Sequence, residues 1–186
     1  DINLIIDESF LDFADAENLS LLSEQVLKEN KNLYVVKSIS KSYGVPGIRL
    51  GILASGNTDM IGRLKKDVSI WNINSMAEFF MQILDKYKSD YTDSLRKIKE
   101  ERSRFLIELC AIKNLKVYPS QANYFMCEIL DGISSEELAG RLLKENILIK
   151  DLTGKIHNGK QYIRIAIRGE EENRILVEKL KVCMKQ

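Results

Sequence analysis

The sequence predicts an α/β fold in two parts: a mostly parallel sheet with covering helices, then a small α/β domain, with a long helix joining them. Three observations carry this. Strand and helix patterns alternate with short loops through the first third of the chain. Met76 to Ile112 holds no proline or glycine and is rich in Lys, Glu, Leu and Ile. Beyond Ile112 the alternation of strands and helices resumes. Such an order places strands in a sheet with helices on its faces.

The elements follow in order. Ile2 to Ile6 reads as a strand, and Glu17 to Glu29 as a helix with Leu19, Leu22, Val26 and Leu27 at helical spacing. Leu33 to Val36 and Leu50 to Ala54 are strands. Asp59 to Val68 is a helix that Asn57 or Thr58 would cap. Met76 to Ile112 is one long helix, or two broken near Lys88-Ser89-Asp90. Leu115 to Tyr118, Asn123 to Ile129 and Tyr162 to Ile167 are strands, with a short edge strand at Ile147 to Ile149. Ser134 to Glu145 and Glu170 to Met184 are helices, and Ser134 with Glu137 has capping-box spacing. The domain boundary is expected between residues 85 and 86, giving parts 1–85 and 86–186.

Composition narrows the function. Among 186 residues, 28 Lys plus Arg against 27 Asp plus Glu leave a net charge of +1, so no basic balance advertises nucleic acid or an anionic membrane. The apolar runs are too short to span a bilayer. Cys110, Cys127 and Cys183 are widely spaced without a CxxC, which fits free thiols in a reducing cytoplasm. The single histidine, His157, argues against a His-based metal site or a Ser-His-Asp triad, so no metal is expected. The chain opens on Asp1 with a strand at once and no signal peptide ahead of it, which fits a piece cut from a longer chain.

One segment concentrates chemistry: Ser38-Ile39-Ser40-Lys41-Ser42-Tyr43-Gly44-Val45-Pro46-Gly47-Ile48-Arg49-Leu50-Gly51, between two strands. Hydroxyls, glycine backbone and an arginine are phosphate ligands, and a lysine among them can condense with an aldehyde. On composition alone a polar surface turn, with Lys41 merely reaching solvent, is the simpler reading.

Position by position, however, this segment resembles the cofactor-attachment pattern of class I aminotransferases, the pyridoxal phosphate (PLP) enzymes of the aspartate-aminotransferase fold. Arg49 follows Lys41 by the family's eight positions. Asp7-Glu8-Ser9-Phe10 resembles the Asp-Glu-Ala-Tyr segment of histidinol-phosphate aminotransferases. Ser120-Gln121-Ala122-Asn123-Tyr124-Phe125 resembles the family strand that enters the small domain, and Tyr162 to Arg168 the strand whose arginine grips the substrate carboxylate. The resemblance implies the C-terminal part of the PLP-binding large domain followed by the small domain. It implies Lys41 as the lysine that forms a Schiff base with pyridoxal 5'-phosphate, and Ser38, Ser40 and Arg49 as holders of its phosphate. It implies Asp7 as partner of the pyridine nitrogen, where a carboxylate keeps the ring protonated. Arg164 and Asn123 would bind substrate, and Lys150, fourteen positions before Arg164, would meet a substrate phosphate. A solvent-exposed lysine after an edge strand is the plain alternative for Lys150, as an ordinary strand-edge arginine is for Arg164.

Phe10 departs from the pattern, standing where the aminotransferases place a tyrosine that bonds the ring oxygen. Asp-Glu-Ser-Phe, Trp71-Asn72-Ile73-Asn74-Ser75 and the Arg164 strand look at least as much like threonine-phosphate decarboxylases. The implied activity is aminotransfer on a small, phosphorylated amino acid or amine. Phospho-amino-acid decarboxylation is the close alternative, and a non-catalytic dimerisation or fusion module a third. The N-terminal half that relatives carry, with its own cofactor contacts, does not precede Asp1, so the expectation is an incomplete site. The family implies a homodimer, with the Trp71 loop near the interface or else buried against its own domain. Phe79, Phe80, Tyr87 and Tyr91 read as core, and the charged run Arg96 to Arg104 as a solvated face.

Overall fold

The structure, a computed structural model, describes residues 2–184. The chain divides into two compact units, Asp1–Leu95 and Arg96–Gln186, with the division inside a helix.

The first unit holds strands β1 (Leu4–Asp7), β2 (Leu33–Ser38) and β3 (Gly51–Ser55), ordered β1-β2-β3. β1 runs parallel to β2, with Asp7 opposite Val36, but β2 and β3 are antiparallel, with Ser38 opposite Gly51. The sheet expected as mostly parallel is therefore mixed here. Between β2 and β3 stand only the short helix α2 (Ile39–Ser42, following α1) and a 3-10 turn at Pro46–Ile48. That is too little chain for a crossover helix, so the backbone folds back.

Helix α1 covers Glu24–Glu29 alone, not Glu17 to Glu29. Residues 17–23 are drawn out of helix by Glu8, a buried carboxylate that accepts the Ser20 hydroxyl at 2.7 Å and the Leu21 amide at 2.6 Å. Ser23 then caps the shortened helix through Val26 N. Helix α3 (Thr58–Asp67) is capped by Asn57, which accepts from Met60 N at 3.0 Å. α4 (Ser75–Ile83) and α5 (Lys88–Cys110) are separated by a 3-10 turn at Leu84–Tyr87, so the long apolar run is two helices with the break just ahead of Lys88. Gly56 passes so close to α1 that an added Cβ would stand 1.8 Å from Leu27 O, and only glycine fits.

Many large apolar side chains of this unit face outward: Leu4 and Ile5 on β1, Ile52 and Leu53 on β3, then Ile70, Trp71, Met76 and Phe79. Trp71 is 88% exposed, so burial against its own unit is excluded. Phe79 and Tyr87 are also exposed, and only Phe80 and Tyr91 of the aromatic group turn partly inward.

The second unit is an antiparallel sheet of β4 (Leu115–Val117), β5 (Tyr124–Ile129), β6 (Lys150–Asp151) and β7 (Gln161–Ala166), in the order β4-β5-β7-β6. The edge strand lies at Lys150–Asp151 rather than Ile147–Ile149. One face carries Phe125, Cys127, Ile163 and Ile165, each fully buried with Phe105 and Leu109 of α5, Leu138 and Leu142 of α6 (Ser135–Lys144) and Leu180 of α7 (Glu170–Cys183). The period-two alternation turns Tyr124, Met126, Glu128, Tyr162, Arg164 and Ala166 to the opposite face. Ser134 caps α6 through Glu137 N at 3.1 Å, while the Glu137 carboxylate pairs with Arg141, leaving the capping box half made.

Leu138→Ala should destabilise the chain by about 2–5 kcal/mol, whereas Leu148→Ala, at a side chain 84% exposed, should change stability by no more than about 0.5 kcal/mol. Urea unfolding followed by circular dichroism reads both.

Candidate active site

The functional loop starts where β2 ends. Ser38 closes the strand, α2 carries Lys41, and the chain re-enters the sheet at Gly51. Gly44 has φ +68°, a left-handed turn that glycine adopts at no cost. A Cβ on Gly51 would sit 3.2 Å from Lys37 O. Nothing in the structure requires glycine at Gly47.

Ser40 has a structural task in the loop. Its hydroxyl is buried, donates to Leu50 O at 3.3 Å and accepts from Leu50 N at 3.1 Å, so it ties the two arms of the loop together. Ser40 also lines the open cavity shared with Ser38 and Arg49. Ser38 differs. Its amide donates to Ser9 Oγ at 2.9 Å, and among the described residues its hydroxyl has no partner. Arg49 sits at φ 55°, in the left-handed region, a conformation that costs a non-glycine residue on the order of 1–3 kcal/mol and collects at functional sites. Its guanidinium is exposed and donates to Pro46 O at 3.2 Å, and among the described residues it pairs with no carboxylate. Ser9, Ser38, Arg49, Gly51 and Asn72 line an open cavity of about 500 Å³.

Lys41 is exposed and unpaired, with Nζ 4.3 Å from the centroid of the Phe10 ring. The aromatic face attracts the ammonium without neutralising it. Asp7 ends β1; its Oδ1 accepts the Ser9 amide at 2.8 Å. The Ser9 hydroxyl and amide bonds hold the Asp7 carboxyl below the usual carboxylate range, with the Lys41 charge a smaller influence in the same direction. Ser9 thus joins Asp7 to the start of the lysine loop.

Behind the loop lies a node that the sequence does not announce. Asp12 Oδ1 meets Lys37 Nζ at 2.5 Å, and its Oδ2 accepts the Tyr91 hydroxyl at 2.7 Å. The Tyr91 ring stacks on Tyr43 with centroids 3.8 Å apart, and Phe80 meets Tyr43 edge-on. The buried Ser42 hydroxyl sits against the same Asp12–Tyr91 pair, outside hydrogen-bonding geometry. Ser42 and Tyr43 follow Lys41 directly, so the node fixes the backbone that carries the lysine.

In the second unit, Lys150 stands opposite Arg164 in the β6–β7 register. Both line a cavity of about 780 Å³ with Leu148, Asp151 and Lys155. The Arg164 guanidinium lies 5.1 Å from the centroid of the Tyr124 ring. Asn123 pairs its backbone carbonyl with Ile167 N at 2.9 Å and does not line this cavity. Asp7, Phe10, Ser38, Lys41 and Arg49 are therefore gathered in one unit, Lys150 and Arg164 in the other. Sequence reasoning passes over Ser9, Asp12, Lys37, Tyr91 and Lys155; for Ser9 alone a signal exists, its place inside the Asp7–Phe10 motif.

Burial disfavours the ionised Asp12, but the bonds from Lys37 and Tyr91 outweigh it and leave its pKa lowered. A depressed carboxylate stabilises the fold above its unfolded pKa, and that share is lost as pH falls through the folded value. The thermal midpoint of the wild type should therefore fall as pH drops below about 4. Asp12→Asn should flatten that acid limb and cost about 1–3 kcal/mol at pH 7, because Lys37 is left half-buried without its counter-charge.

Comparison with known proteins agrees with this architecture. The family described as aminotransferase class I and II matches residues 1–180. The chain is 37% identical over 179 residues to CMP-5'-(3-aminopropyl)phosphonate synthase of Streptomyces rubellomurinus, covering 95% of this chain and 28% of that protein. It is 36% identical over 185 residues to L-serine phosphate decarboxylase Cj1436c of Campylobacter jejuni, covering 96% of this chain and 47% of the decarboxylase. The crystal structure of the histidinol-phosphate aminotransferase from Clostridium acetobutylicum superposes with a TM-score of 0.87 at 32% identity, over 97% of this chain and 54% of that one. The chain thus spans about half the length, or less, of these relatives. With a match that runs over nearly all its residues, the chain belongs to the class I and II aminotransferase family, whose cofactor is pyridoxal phosphate.

Proposed function

We propose that the whole protein is a pyridoxal phosphate-dependent enzyme that removes CO₂ from a small phosphorylated amino acid. The observation that carries this reading is the facing pair Lys150 and Arg164, two cations opposite each other on β6 and β7 with no carboxylate among the described residues paired to either. A substrate with a carboxylate and a second anion matches such a pair. Sequence alone puts aminotransfer first. Identity of 36% to a serine-phosphate decarboxylase supports placing CO₂ release ahead of it. Aminotransfer remains the second reading, supported by the 32% identity to a histidinol-phosphate aminotransferase.

The residues present fit the cofactor. Ser38 offers an unengaged hydroxyl and Arg49 an unpaired guanidinium, both on one cavity, and these would hold its phosphate. Asp7, kept ionised by Ser9, would hold a proton on the pyridine nitrogen. When bound, pyridoxal phosphate supplies an electron sink for a bond broken at the substrate Cα. Lys41 would be the residue that holds the cofactor through its aldehyde carbon, and its amine would hold the proton that is returned to the substrate Cα. Its neighbour Phe10 presents only a ring face, so no hydroxyl competes for that ammonium. Arg164 would grip the carboxylate, and its rotation about Cα decides the chemistry. The direction in which Arg164 would hold that carboxylate sets which bond at Cα is aligned for cleavage, the one to the carboxylate for CO₂ release or Cα–H for aminotransfer.

The exposed Ile70, Trp71, Met76 and Phe79 give a second copy an apolar surface to cover, in keeping with a homodimer.

Borohydride reduction in the presence of pyridoxal phosphate should leave a stable adduct on wild-type protein, and none at this site in Lys41→Ala. Absence of an adduct in wild type as well would favour a non-catalytic module. In the full-length protein, O-phospho-L-serine or O-phospho-L-threonine should release CO₂ faster than any keto acid accepts the amine. Dominant keto-acid-dependent transfer would restore the aminotransferase reading. Lys150→Ala should raise KM for the phosphorylated substrate and leave that for the unphosphorylated amino acid unchanged.

A further inference from the structure

We propose that Lys155 is a third cation of the cavity beside β6, that it takes up a phosphate monoester there together with Lys150, and that this anion binds without the cofactor. The identification of the anion as the distal group of the substrate rests on the reading above; the binding itself does not.

Lys155 lies in the hairpin between β6 and β7, outside every motif that the family pattern covers. It lines the same cavity of about 780 Å³ as Lys150 and Arg164. A tight turn brings it there: Lys155 N and Ile156 N both donate to Leu152 O, at 2.9 and 3.1 Å. The turn is pinned rather than loose. Thr153 donates its amide and its hydroxyl to Asp151 Oδ1 at 3.0 and 2.7 Å. Thr153 Oγ1 also lies 2.7 Å from the hydroxyl of Ser135, a fully buried residue at the start of α6 that bonds Gln161 Oε1 at 2.9 Å. Four residues from three elements thus hold the backbone on which Lys155 sits.

The same bonds settle the charge. Asp151 is the one carboxylate among the residues that line the cavity, and its Oδ1 is committed to Thr153. Among the described residues none of Lys150, Lys155 and Arg164 forms an ion pair. Three cations and one engaged carboxylate give one cavity a formal charge of +2. Like charges gathered in this way repel one another until an anion enters. A phosphate monoester carries about −1.5 to −2 at pH 7, and with a carboxylate it matches what the cavity offers. Leu148, Ile149 and Ala166 line the remainder and suit a short carbon chain. Two lysines, as point charges on flexible stems, would follow a phosphate whose position varies with chain length; the planar fork of Arg164 suits the carboxylate.

The test is calorimetric titration of the whole chain carrying Arg49→Ala, which removes the other anion cradle, with no cofactor present. The ligands are O-phospho-L-serine, inorganic phosphate and L-serine. Lys155→Ala should weaken O-phospho-L-serine and phosphate about five- to tenfold and leave L-serine unchanged, while Lys155→Arg should keep most of the affinity. Binding of O-phospho-L-serine should also weaken below about pH 6, where the monoester takes up its second proton. Equal affinity in Lys155→Ala and its parent overturns the proposal, as does an equal loss in Lys155→Arg, or no phosphate binding by the parent. Failure of the borohydride adduct at Lys41 would remove the cofactor reading without touching this titration, so the two can fail separately.

Discussion

The ion pair between Asp12 and Lys37 holds the first unit in working order. A carboxylate and an ammonium 2.5 Å apart, both largely withdrawn from water, survive only because the desolvation of each is offset by the other and by a further hydrogen bond. Tyr91 supplies that bond at the second oxygen. Through these three side chains the turn after β1, the strand β2 and the start of α5 are tied to one point. Tyr43, stacked on Tyr91, transmits the tie to the backbone beside Lys41. The lysine itself stays uncommitted: its neighbours are fixed by charge and stacking, and its own ammonium rests only on a ring face.

Charge is distributed in two contrasting ways across the outer face of the second sheet. Glu128, almost fully buried, accepts the Tyr118 hydroxyl and meets Lys160 at 2.8 Å and Lys116 at 3.8 Å. That end of the face is internally neutralised. Two residues along β5 and one strand over, Arg164 and Lys150 have no such partner. One cluster is thus neutralised by its own carboxylate, while the next is left uncompensated among the described residues. The sheet supplies rigidity to both, since Ile163 and Ile165 anchor β7 from beneath.

The parts legible in the sequence were those whose meaning is local. The interval from Lys41 to Gly51 reads directly because turn glycines, hydroxyls and the arginine act within one loop. Asn57 and Ser134 read as caps because a cap bonds an amide three residues on. What could not be read depends on partners distant in the chain. Leu19 and Leu22 have helical spacing, yet Glu8, more than ten residues earlier, captures the Leu21 amide and ends the helix before it begins. Ser40 matches a ligand position by type, but its bonds to Leu50, ten residues later, leave no mark in the sequence. Asp12 and Tyr91 are separated by 79 positions, and no periodicity marks either. The edge strand moved from Ile147–Ile149 to Lys150–Asp151 because hydrogen-bond register with β7, rather than apolar character, decides where an edge begins.

The pair of hydrogen bonds between Ser40 and Leu50 has a consequence for how this loop can change over evolutionary time. Both ends of the segment are clamped by one hydroxyl, which bonds the amide and the carbonyl of one residue, Leu50. Most surface loops accept added residues cheaply, since lengthening a flexible closure costs only a slowly growing entropy. This one cannot grow without either breaking the clamp or bulging between its ends, and a bulge would displace Arg49 from its left-handed position next to the clamp. The number of residues between Lys41 and Arg49 therefore acts as a ruler. Substitutions inside the loop are tolerable wherever the backbone permits them, but a single insertion or deletion would shift the guanidinium by a residue's length while Lys41 stayed in place. Divergence in this segment should proceed by replacement and hardly ever by change of length.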